Sequence, residues 1–188
     1  RLILADTDKE REEALAALDE SELGEDMPEE LAFQRRLLRA RALSELGRAD
    51  DALELLAADE GQLADAAKLD IAWRDQNWRA AADALGRLVG APPPPDEPIS
   101  AEQAELVLNQ AIALSLAQDR PGLDRLAGIF GPAMDASEHA HVFAVLTRPN
   151  APLGRLVDLA TVRREVSEVD LFQNFLTGYL GPERVLTN

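Results

Sequence analysis

Two stretches of this 188-residue chain read as the same object: a helix, a tight turn and a second helix. The first runs from Arg39 through Leu56 and turns at Gly47-Arg48; the second runs from Leu69 through Leu85 and turns at Gln76-Asn77. A lone helix pair cannot bury its apolar faces, so repeated pairs must stack, and the stack offers an extended surface to other molecules. That requirement constrains the fold more than any other feature of the sequence.

The rest of the chain continues the pattern. Thr7 to Glu20 reads as a helix opened by Thr7 and Glu10 in capping-box spacing, and the acidic stretch Glu20 to Glu30 reads as a loop in which Asp26 caps the next helix. That next helix begins near Pro28 and is apolar on two sides. Leu31, Leu38, Ala42 and Leu46 share one, while Phe33, Leu37 and Ala40 share another, as expected of a helix sandwiched in a stack. Gly47 stops it, because a left-handed cap is most easily adopted by glycine. Asp50 to Ala58 is the return helix. Gln62 to Asp75 and Trp78 to Val89 form the second hairpin, ended by Gly90.

A proline-rich segment follows, Ala91 to Pro98, whose composition favours an extended polyproline spacer. It divides the expected organisation into hairpins over 1–90, a linker over 91–99, and a helical continuation with a C-terminal cap over 100–188. Ser100 and Gln103 form a second capping box, opening an apolar helix to about Gln118. Its partner starts at Pro121 and is expected to stop at Gly131-Pro132. Helices over 136–147, 152–160 and 166–180 complete the reading, and no segment alternates as a strand does.

Composition narrows the function classes. The formal net charge is −16 and the sequence pI about 4.4, with no basic stripe of the kind nucleic acid requires. Association with anionic lipid is equally disfavoured, and no apolar run approaches the length of a membrane span. Without cysteine there are neither disulfides nor thiolate metal sites. Lys9 and Lys68 are the only lysines against seventeen arginines, a bias that points to a GC-rich bacterial source. Because the chain begins at Arg1 in mid-array character, it reads as a soluble segment of a longer protein of the bacterial cytoplasm or periplasm.

In the first hairpin Ala40, Leu43, Gly47, Ala52 and Leu56, and in the second Trp78, Ala81 and Leu85, resemble the tetratricopeptide-repeat pattern. That family places a small residue inside its first helix, a glycine at the turn, an aromatic after it, then alanine and a large apolar residue on the second helix. Here Ala49 stands where the aromatic belongs and Gln76 replaces the second glycine. The resemblance covers roughly residues 30–90. It implies an all-α, right-handed superhelical stack of antiparallel hairpins whose first helices line a concave, protein-binding side. It also implies buried packing for Trp78.

Candidate binding residues follow from that frame. Arg35, Arg36 and Arg39, with Arg41, form the basic cluster of the chain, and on a first helix they would grip the carboxylates of an acidic peptide. The alternative is that they neutralise neighbouring glutamates such as Glu22, Glu25 or Glu29. Asn109, on an otherwise apolar helix, would hydrogen-bond a peptide backbone or a neighbouring helix. His139 and His141 stand two apart, the wrong spacing for chelation on one helix face, so no metal is expected. No carboxylate pair sits in an apolar setting suited to general acid–base work, and no glycine-rich phosphate loop occurs. The expected function is a non-catalytic protein-interaction scaffold or adaptor without cofactor, binding another protein or peptide; the rival reading is a structural or regulatory domain of a multidomain enzyme whose catalytic part lies elsewhere.

Overall fold

The computed structural model describes residues 28–148, together with Lys9, Glu12, Glu13, Leu15 and Ala16, which are helical. The described residues contain seven helices after Pro28 and no strand: α1 (Glu29–Glu45), α2 (Ala49–Leu55), α3 (Gln62–Arg74), α4 (Trp78–Val89), α5 (Ala101–Leu116), α6 (Arg120–Met134) and α7 (Ala140–Thr147). The class is all-α, as expected. Asp26 and the helices expected over 152–160 and 166–180 lie outside the described residues.

Three turns share one geometry. Gly47, Gln76 and Gln118 all take positive φ, at 75°, 60° and 58°. The amide that follows each reaches five residues back. Arg48 donates to the Leu43 carbonyl at 2.9 Å, Asn77 to Ala72 at 2.8 Å and Asp119 to Leu114 at 2.9 Å. This is the Schellman closure, which satisfies the carbonyls that a helix end would otherwise leave orphaned. The residue after the left-handed one then flanks the next helix. The Asn77 side chain accepts from the Ala80 amide at 3.2 Å, and that of Asp119 from Gly122 at 2.9 Å. Five residues beyond each left-handed position stands a fully buried apolar residue: Ala52, Ala81 and Leu123. The chain therefore repeats one hairpin three times, as α1–α2, α3–α4 and α5–α6.

Successive helices pack on each other; α1 also rests on α3, so the first helices of the first two hairpins touch, and α5 rests on α7. Two core clusters result. The smaller joins α1, α2 and α3 through Ala40, Leu43, Ala52, Leu56 and Ile71, with Leu15 and Leu37 against its edge. The larger takes Ala72, Leu85 and Val89 from before the proline segment and Val107, Ile112, Leu123, Phe130 and Met134 from after it. Leu53 of α2 lies against both.

Several local expectations change. The proline segment bends instead of extending, closed by the Glu97 amide on the Pro94 carbonyl at 2.9 Å, because α4 and α5 pack together and the chain must return between them. Ser100 caps α5 by accepting from the Gln103 amide at 3.1 Å, but the Gln103 side chain does not close the box. It donates backwards to the carbonyls of Val89 and Ala91, at 3.0 and 2.7 Å, and ties the start of α5 to the end of α4. Gly131-Pro132 does not stop α6, which runs on to Met134. Phe130 and Met134, four apart on one face, are both buried, and that burial outweighs the amide that Pro132 lacks. Ala136 lies before α7, in a turn where the Ser137 hydroxyl donates to the Met134 carbonyl at 2.8 Å.

Trp78 is half-buried, not fully enclosed. It meets Trp73 edge to face across the turn, with ring centroids 5.4 Å apart and planes at 87°. The five-residue offset places both indoles on the flank of the second hairpin, and Trp73 is the one that leans on the larger core.

Candidate interaction surface

The four arginines of α1 divide by the face they occupy. At 100° per residue, Arg36 falls on the side of Ala40 and Leu43, toward the core. Its Nε donates to both carboxylate oxygens of Asp59, at 3.1 and 3.0 Å, and its Nη2 donates to Asp59 Oδ1 at 2.6 Å and Glu29 Oε1 at 2.8 Å. The Phe33 ring lies 6.0 Å beneath the guanidinium carbon. The hydrogen bonds to Asp59, and secondarily to Glu29, hold the Arg36 proton more firmly than in a free guanidinium. Asp59 belongs to the connection between α2 and α3, and the Lys68 ammonium of α3 donates to its backbone carbonyl at 2.6 Å. Arg36 is thus a clasp between the first two hairpins. Its pairing with Glu29 fulfils the neutralising alternative, and its guanidinium is occupied within the chain.

Below the clasp a cleft of about 550 Å³ opens between the α2–α3 connection, α3 and α4. Asp59, Glu60, Asp65, Lys68, Asp83 and Arg87 line it, together with Leu53, Ala57 and Ala80. Its most buried charge is Asp65, 7% exposed, which accepts from Arg87 Nε at 2.5 Å and links α3 to α4. Asp59 and Asp65 each have a cation at hydrogen-bond distance, so the buried charges of the cleft are matched, as burial demands.

Arg35 and Arg39 lie about 100° and 60° around α1 from Arg36, Arg39 exposed and Arg35 half-exposed, each with interactions of its own. Beside them the second apolar face anticipated for this helix is open. Leu31 is 40% and Leu38 59% exposed, on the side of α1 directly opposite buried Ala40. Asn109 is placed quite differently from its expected role. It is 1% exposed within α5, enclosed in the core, and neither Nδ2 nor Oδ1 has a hydrogen-bonding group of the protein in reach. All nine of the buried residues of α5 crowd around the helix, which explains why a groove-facing position is not open to it.

His139 precedes α7 and lies 3.8 Å from Glu138, and His141 is exposed. Among the described residues no group of three or more histidines or carboxylates is arranged to hold a metal ion. No described helix is long and apolar enough to cross a membrane. A feature that sequence reasoning passed over is Arg120, the first residue of α6. Its two terminal nitrogens donate to the carbonyls of Thr147 and Arg148, both at 2.7 Å, and so cap the end of α7.

No family model matches the chain, and neither a curated protein nor a solved structure is significantly similar to it.

Proposed function

We propose that this chain is a non-catalytic protein-interaction scaffold or adaptor, a segment of a larger bacterial protein, and that its hairpins form a right-handed, tetratricopeptide-like superhelix. The three matching turns support the superhelical reading, as does the contact of first helix α1 on first helix α3. Buried Ala40, Ala52, Leu56, Ala81 and Leu85 at the positions that carry the resemblance support it further.

The observation that carries the function is the two-sided character of α1. One face is built into the hairpin core, while the opposite face presents Leu31 and Leu38 to solvent. Leu31 and Leu38 stand seven residues, about two turns, apart on that face, so a protein covering it would remove both side chains from water at once. The test is affinity purification of the tagged chain from its native cells at low salt, followed by light scattering. A second protein in fixed stoichiometry is expected. A chain that emerges alone from every such preparation refutes the scaffold reading.

A further inference from the structure

We propose that the first hairpin opens as a unit of its own, latched to the rest of the stack by the Arg36–Asp59 clasp, with the seam at the α2–α3 connection. The proline segment is the boundary that composition suggests, yet the larger core runs through it. Ala72, Leu85 and Val89 on one side meet Val107, Ile112 and Phe130 on the other. The smaller core, by contrast, crosses the α2–α3 connection through Ile71 alone, with Ala67 at its edge. Three of its six buried members are alanines, Ala40, Ala49 and Ala52, so the apolar area holding the first hairpin in place is small. Among the described residues of that hairpin, Leu53 is the one that also lies against the larger core. Helix α2 spans seven residues, too short to persist once it leaves α3.

Polar contacts supplement this thin core. The Lys68 ammonium of α3 donates to the Asp59 carbonyl at 2.6 Å and fixes the connection to the stationary side. Arg36, on the moving side, grips the Asp59 carboxylate through Nε at 3.1 and 3.0 Å and through Nη2 at 2.6 Å. The Asp59 side chain is 10% exposed and that of Arg36 30%, so solvent and salt screen this pair less than an ordinary surface pair. Glu29, the other partner of Arg36, stands on α1 itself and moves with it. Across the same seam Arg41 and Glu45 of α1 act on the Asp70 carboxyl of α3 in opposite senses, which leaves the clasp as the firmer tie. The first hairpin therefore cannot lift from α3 without parting Arg36 from Asp59. Opening bares Ile71, 3% exposed in the closed stack, and breaks none of the bonds that close the turns of α3–α4 and α5–α6. Units that open separately in this way belong to the low-stability end of a fold.

Native-state hydrogen exchange of the whole chain, read on peptic fragments by mass spectrometry, separates the openings. The slowest amides of α1 and α2 are expected to exchange together, and roughly tenfold or more faster than the slowest of α4 and α5. Ile112→Val trims the larger core, which stays intact when the first hairpin opens. It is expected to speed the slow amides of α4 and α5 by roughly fivefold and to leave those of α1 and α2 unchanged. Asp59→Asn weakens the clasp that every opening of the first hairpin must break, and is expected to speed α1 and α2 about tenfold. Arg36→Lys keeps the charge but loses the fork, and is expected to speed them about threefold. Circular dichroism verifies that each variant is folded. Equal acceleration of all helices by Ile112→Val means one cooperative unit and overturns the proposal. So does acceleration of α1 to α4 as a block apart from α5 and α6, which moves the seam to the proline segment. Unchanged exchange of α1 and α2 in the clasp variants leaves the hairpin without its latch and overturns the proposal as well.

Discussion

The three turns differ in residue but not in backbone, and this allows a reciprocal experiment. Gly47 has a φ of 75°, and a Cβ built there meets nothing within 4 Å. Gly47→Ala therefore introduces no clash, and its effect is confined to the backbone. Placing an L-residue in the left-handed region costs about 1–2 kcal/mol. The reduced freedom of the unfolded chain returns about 0.4–1 kcal/mol of that. The net destabilisation is about 1 kcal/mol. Gln76 and Gln118 are exposed and sit at φ 60° and 58°, so their side chains contribute little packing. Replacing either with glycine relieves the same strain against the same loss of unfolded-state restriction, for a net gain of roughly 0.5–1 kcal/mol. Urea unfolding followed by far-UV circular dichroism reads all three, and each kcal/mol moves Tm by about 2–4 °C in a chain of this size. The double variant Gln76→Gly, Gln118→Gly should add nearly fully, because both side chains are exposed and each closes its own turn. If Gln76→Gly destabilises the chain as Gly47→Ala does, the three turns are not equivalent and the repeat argument fails.

Other expectations concern buried polar groups. Asp59→Ala strips Arg36 of its bidentate acceptor and should lower stability by about 1–3 kcal/mol; a urea midpoint equal to the parent's would show that the clasp contributes nothing. Asn109→Leu removes two unsatisfied polar atoms from the core at nearly constant volume, so thermal unfolding should show a gain of about 1–3 kcal/mol, whereas a loss would mean that the amide is satisfied in solution. Asp70 has its carboxyl raised above the usual aspartate range, chiefly by burial, against the opposing pull of Arg74 and Arg41. The folded state therefore binds this proton more tightly than the unfolded state, and the associated stability is present in acid and lost as pH rises through the raised value. Asp70→Asn should consequently match or exceed the parent at pH 7 and lose that advantage toward about pH 4, the ordinary aspartate range, in urea titrations at each pH. A constant difference between the two proteins across that range would contradict the assignment.

Helix positions were legible where local chemistry decides them. Gly47 and Gly90 ended α1 and α4 as expected, Ser100 capped α5, and the bounds of α3 and α4 follow the apolar pattern within a residue. The third hairpin was harder to see as a repeat, because its turn residue is Gln118 and its buried residue five positions on is Leu123, with neither the glycine nor the alanine of the first hairpin. Backbone closure by hydrogen bonds carries the repeat there, and those bonds have no sequence signature. Pro132 misled in the opposite sense: the local breaker is overruled by two side chains buried on one face. The arginine cluster was visible, but its division was not. Which arginine is consumed depends on where the α2–α3 connection brings Asp59, 23 residues further along. Both faces of α1 were apparent from spacing alone, whereas which of them the fold leaves open is a property of the assembled stack.

The tie made by Gln103 has a consequence for rearranging this chain. Its amide grips the carbonyls on either side of Gly90, so the alignment of α4 and α5 is set before the polypeptide has left for its excursion through Pro92 to Pro98. That excursion is stapled at its base and leads outward, with its own turn closed by Glu97 on Pro94. Closing a longer loop costs only about 0.6 kcal/mol for each doubling of length. The apex around Asp96 is therefore the natural place to splice in a tag, a fluorophore-bearing segment or new termini for a circular permutant.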